Sequence, residues 1–261
     1  MSGRDVSGYV VVARRQRAAI APAALLGAAR RAFGAACAGA WALALLAACQ
    51  GGPPPPQWRL DASAALDQYR EAWLRGETRI AAQAFERARG ELASTGRAEL
   101  VARAELTRCA LQVASLDFDD CPGFAPLARD ADAGSRAYAA YIAGRWTEVD
   151  PALLPAPHRA VFAASVGDAR KSDGEAPASP GVLAAVEDAA ARLVAAGALL
   201  RAGRLAPGDI AAAVEAASAQ GWRRPLLAWL GVQERRAQAA GDAEAAAAVR
   251  RRIELVLESP K

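Results

Sequence analysis

Apolar residues recur at three- and four-residue intervals over most of the chain beyond residue 58, a period that restricts it to helices packed face to face. Candidate helices are 61–75, 78–94, 97–115, 133–145, 156–166, 181–202, 208–220, 224–239 and 242–258. Their bounds carry suitable punctuation. Pro180 precedes the helix from 181, Pro207-Gly208-Asp209 opens the next, and Gly241-Asp242 separates the last two. Alanine, arginine, leucine and glutamate, all good helix formers, dominate this part, whereas residues favouring strands are sparse. The expected fold is all-α. The polar, turn-rich segment 167–180, GDARKSDGEAPASP, reads as an exposed loop or hinge.

Helices of this length joined by short turns suggest antiparallel hairpins. The first pair turns at Arg75-Gly76-Glu77, and its second helix carries Ala81, Phe85 and Ala88 in a small–aromatic–small order. That pattern resembles the tetratricopeptide (TPR) repeat, where small residues admit the neighbouring helix and the aromatic fills the gap. Tyr138…Tyr141-Ile142-Ala143-Gly144-Arg145-Trp146 resembles a TPR first helix and turn, and 241–260 resembles a third unit. The resemblance implies a TPR-like α-solenoid. Three features depart from it: Tyr69 stands where a small residue belongs, Asp150-Pro151 interrupts the second unit, and no strict 34-residue period links the three. The alternative is an irregular helical bundle.

The first 48 residues are of another kind. Six arginines and Asp5 are their only charges, and 32–48, AFGAACAGAWALALLAA, is an uncharged apolar run. A basic zone, an apolar zone and small residues ahead of a cut are the features of a secretory signal. At 17 residues the run is short against the roughly 20 that a membrane span needs, and it leads to Gly-Gly and four prolines. Leu46-Ala47-Ala48-Cys49 resembles the lipobox of bacterial lipoprotein signals at all four positions. The resemblance implies cleavage before Cys49 and acylation of that cysteine, and two or more chains, at about 0.8 kcal/mol per buried CH₂, anchor stably. Gln50, which is not the aspartate that favours inner-membrane retention in such proteins, implies the periplasmic face of the outer membrane; the inner membrane is the alternative. Residues 49–58 would form a proline-stiffened tether and 59–261 the helical domain.

Two cysteines then remain, Cys109 and Cys121, in an oxidising compartment. A disulfide between them would clamp the acidic loop Leu116–Asp120 to its helix, contributing about 2–3 kcal/mol in the loop-entropy model. Two separate buried thiols are the alternative.

Little else suggests chemistry. His158 reads as a surface or capping residue at a helix start, and the chain has no other histidine, no G-x-S-x-G and no phosphate or dinucleotide loop. Asp117-Phe118-Asp119-Asp120 reads as a solvated loop: counted as an EF-hand, it places Pro122 at the glycine position and Ala128 at the closing glutamate. Neither a metal site nor a cofactor is expected. Nucleic acid is not an expected partner either, since beyond residue 48 there are 26 basic and 27 acidic side chains. Trp58, Trp73, Trp222 and Trp229 read as core, and Tyr138, Tyr141 and Trp146 as the candidate partner-binding residues. The combined resemblances imply a membrane-anchored periplasmic adaptor or assembly factor that binds an envelope protein and is not an enzyme. The alternatives are a peptidoglycan-acting hydrolase, which needs a glutamate with a raised pKa in a cleft, and a structural spacer.

Overall fold

The computed structural model describes residues 54–169 and 181–259, and these hold nine α-helices and no strand. They are α1 (Gln57–Arg75), α2 (Thr78–Ala93), α3 (Ala98–Ala114), α4 (Ala133–Ile142), α5 (Ala156–Ala169), α6 (Ala189–Arg201), α7 (Pro207–Ala219), α8 (Arg223–Ala239) and α9 (Ala243–Glu258). The protein is all-α, as its apolar period demands. Residues 1–53, which include the leader and Cys49, lie outside the described residues, as do 170–180 of the expected hinge. Gly167–Ala169 continue α5, and α1 starts at Gln57, inside the segment read as tether.

Glycines set several boundaries, because a helix often ends on a left-handed residue that costs other side chains steric energy. Gly76 does so at φ 87° between α1 and α2, and Gly241 at φ 71° between α8 and α9. Aspartates open helices: Asp132 accepts from Ser135 N at 2.6 Å, Asp188 from Ala191 N at 2.7 Å and Asp242 from Ala245 N at 2.9 Å. Asp188 also corrects one expectation. The helix expected over 181–202 begins only at Ala189, and Val182–Ala185 form a separate 3₁₀ turn. The Asp209 carboxylate holds that turn from another helix, accepting from Leu183 N at 3.1 Å.

The first hairpin packs as its small–aromatic–small pattern requires. Ala81, Ala84 and Ala88 are buried, and Phe85 lies 5.1 Å from the ring of buried Tyr69. Beyond the hairpin the chain closes on itself. Ten of the 17 residues of α3 are buried, too many for a helix with one apolar stripe. α3 packs against α1, α2, α4 and α6, and Trp229 of α8 donates from Nε1 to Ala114 O at 3.0 Å. Gly197 of α6 meets α3 so closely that a Cβ would lie 2.2 Å from Val113 O. α8 also returns to α1. In a solenoid each unit touches only its neighbours. Contacts between α3 and α6 and between α1 and α8 make the arrangement an irregular bundle around α3, with TPR-like packing confined to local hairpins.

Candidate functional site

α4 places Tyr138 and Tyr141 one turn apart, with stacked rings 6.3 Å between centroids. Trp146, on the 3₁₀ turn that follows, stacks on Tyr141 at 5.3 Å, and its Nε1 donates to Tyr141 O at 3.1 Å. His158 of α5 lies 5.2 Å from both tyrosine rings, and Phe162, one turn on, is 5.0 Å from Trp146. Aromatic rings at these separations attract beyond the area they bury. The structure therefore brings the three candidate partner-binding residues together, but in the core: Tyr141 is fully buried and Tyr138 and Trp146 nearly so. Their rings pack on one another and on His158 and Phe162 of α5, so little of them faces solvent.

His158 is corrected in the same way. It is buried, not a surface cap, and burial pushes its pKa down to about 4. Its Nδ1 has no hydrogen-bond partner. Burial also raises the pKa of the Tyr141 hydroxyl. A sequence signal for this cluster existed: an aromatic pair one turn apart and a histidine two residues before the apolar Ala160-Val161-Phe162. Only the packing of α5 on α4 shows that these belong to one core.

α4 also borders an open groove of about 420 Å³. Ala133, Ala139 and Leu153 give it apolar lining, and Arg136, Arg145 and Glu148 give it charge, with Arg145 and Glu148 paired at 3.1 Å. Leu153 is among the exposed large apolar side chains of the molecule. Asp150 accepts from Ala152 N at 2.9 Å and sets the 3₁₀ turn Pro151–Leu153 that carries Leu153. The Asp150-Pro151 break thus shapes the groove rim.

The second cluster lies at the end of α3. The sulfurs of Cys109 and Cys121 stand at disulfide distance, 1.96 Å, with Cα atoms 5.7 Å apart. The intervening loop turns through two left-handed residues, Leu116 (φ 57°) and Cys121 (φ 50°). Asp119 organises it, accepting from Cys121 N at 2.9 Å and from Gln112 Nε2 at 3.1 Å. Arg201 of α6 reaches across, with its guanidinium 5.2 Å from the Phe118 ring and Nη1 donating to Asp119 O at 3.3 Å. Among the described residues this is the one place where metal-ligating side chains converge: ligand atoms of Cys109, Asp119 and Cys121 all lie within 4.8 Å of one another. Sequence spacing could not show it, because the third member depends on how the loop folds back.

Two buried carboxylates have structural partners. Glu105 of α3 lies between Arg89 and Arg108, each 3.0 Å away, and a Cβ on Gly123 would come within 2.1 Å of its Oε2. Removing one arginine would leave a buried charge less compensated, which is costly. Burial raises the pKa of Asp209, but its two oxygens accept backbone N–H groups of Leu183 and Ala206, at 3.1 and 3.2 Å. It ties α7 to the 3₁₀ turn. In comparisons with known proteins, the chain matches no family model, no curated protein and no solved structure.

Proposed function

We propose that the protein is a lipoprotein, anchored through Cys49 at the periplasmic face of the outer membrane, whose helical domain is an adaptor or assembly factor that binds another envelope protein. The observation that carries the location is Leu46-Ala47-Ala48-Cys49, which closes the apolar run 32–48 with arginines before it. Supporting the adaptor role, the most chemically suggestive side chains have structural work. His158 lies in an aromatic core, Glu105 between two arginines and Asp209 on two backbone amides. The groove beside α4 is the surface for a partner segment. Its alanines admit a close backbone, and Leu153, Arg136 and Glu148 offer apolar and charged contacts at the rim.

Crosslinking in intact cells followed by pull-down tests this reading. Wild type is compared with Leu153→Glu and Arg136→Glu, both at exposed positions. One reproducible envelope partner, recovered with wild type and lost with the rim variants while their helical spectra persist, is the expected result. Recovery of no partner, with peptidoglycan cleaved by the purified protein, would contradict it and favour a hydrolase.

A further inference from the structure

We propose that reduction of the Cys109–Cys121 bond turns the loop clamp at the end of α3 into a zinc site, with both thiolates and the Asp119 carboxylate as ligands. The inference uses neither the anchor nor the adaptor role, and it requires a dithiol reductant to reach the bond. A tetrahedral zinc with bonds of about 2.3 Å to sulfur and about 2.0–2.2 Å to oxygen needs ligand atoms roughly 3.5–3.8 Å apart. An Asp119 carboxylate oxygen lies within 4.8 Å of both sulfurs, which are 1.96 Å apart while bonded and separate toward that spacing when the bond is reduced.

The site is supported beyond its ligands. Asp119 is oriented by the Cys121 amide and by Gln112 Nε2, the kind of outer contact that fixes a ligating carboxylate. The other amide atom of that side chain, Gln112 Oε1, is inaccessible to solvent and has no hydrogen-bond partner. The fourth position of the tetrahedron is then taken by water. The loop is also held without the disulfide. Arg201 binds the Asp119 carbonyl and covers Phe118, and Asp117 N donates to Gln112 O at 3.0 Å. Opening the S–S bond therefore leaves Asp119 and Cys121 close to Cys109. Cys121 is half-buried, which gives a reductant and a cation access.

The chemistry balances with a dithiol as reductant. Its two electrons and two protons convert the protein disulfide to two thiols, and the dithiol becomes a disulfide. Zinc then displaces the two thiol protons to solvent. Two thiolates and a carboxylate suit a borderline-soft cation, whereas calcium or magnesium would require oxygen ligands.

The test uses the full chain carrying Cys37→Ser and Cys49→Ser, the wild type of this comparison, so that Cys109 and Cys121 are its only cysteines. It is reduced with a dithiol, freed of it and of metal under argon, and titrated with Zn²⁺ against a chromophoric chelator. Oxidised wild type, Cys109→Ser and Asp119→Asn are run beside it. The reduced protein should bind one equivalent and the oxidised protein none. Cys109→Ser should abolish binding, and Asp119→Asn should weaken it at least tenfold. Co²⁺ in place of zinc should give a thiolate-to-metal charge-transfer band that disappears on oxidation. Oxidised and reduced wild type are one sequence, so the comparison does not depend on any variant folding. Equal zinc affinity in the two states would overturn the proposal. So would a reduced protein whose helical circular dichroism is lost and not restored by zinc.

Discussion

The guanidinium of Arg224 lies 4.0 Å from the ring centroid of Trp73, a residue 151 positions earlier in the chain. Arg224 also donates from Nε to Trp73 O and from Nη2 to Thr78 Oγ1, each at 2.7 Å. Trp73 in turn donates from its indole to Leu111 O at 3.1 Å. One arginine thus binds α8 to the first hairpin, and one tryptophan binds that hairpin to α3. This pair, with Trp229 on Ala114 O, closes the bundle.

Arg224→Ala should therefore lower the unfolding free energy by about 2 kcal/mol, from a cation–π contact and two charge-assisted hydrogen bonds. Arg224→Lys should fall between, keeping the charge over the ring but losing the planar two-pronged donor. Urea titration followed by circular dichroism checks both, with a lower midpoint and an unchanged slope expected.

His158 makes stability depend on pH. Its folded pKa, about 4, lies below the ordinary value of 6.5, so between these values the unfolded chain binds more protons than the folded one. Stability from this residue is fully present above pH 6.5 and is lost as pH falls toward 4, by an amount on the order of 3 kcal/mol. His158→Phe, which keeps a ring against Tyr138 and Tyr141, should remove most of that slope. Denaturant midpoints from pH 4 to pH 7 for the two proteins provide the comparison.

The helical class and most boundaries were legible in the sequence because their causes are local. Gly76 and Gly241 stop helices by their own backbone freedom, and Asp132 and Asp242 start them with their own side chains. Asp188 carried the same signal, and it was missed because the alanines on both sides of it sustain a helical pattern. What failed was long-range. Nothing near Tyr138, Tyr141 or Trp146 states that His158 and Phe162 pack against them, and nothing near Arg224 points to Trp73. The approach of Asp119 to two cysteines was equally hidden, since it follows from left-handed turns at Leu116 and Cys121, residues without the usual glycine or asparagine cue.

Two glycine substitutions separate close packing from backbone freedom. Gly197→Ala would push a methyl against Val113 O and force α6 away from α3, so it should cost about 1–3 kcal/mol. Gly90→Ala, at an exposed position of α2, meets nothing within 4 Å and should instead stabilise by about 0.5–1 kcal/mol. Thermal melts of the two variants should shift in opposite directions.

The central claim is that Cys49 carries the lipid that places this bundle at a membrane, and growth with a labelled fatty acid tests it most directly. Full-length wild type and Cys49→Ser are expressed in a bacterial host that has the lipoprotein pathway, and the purified protein is assayed for label and for membrane fractionation. Wild type should carry the label, sediment with membranes and lack residues 1–48, whereas Cys49→Ser should carry none. Unlabelled wild type, or label that persists in Cys49→Ser, would contradict the account.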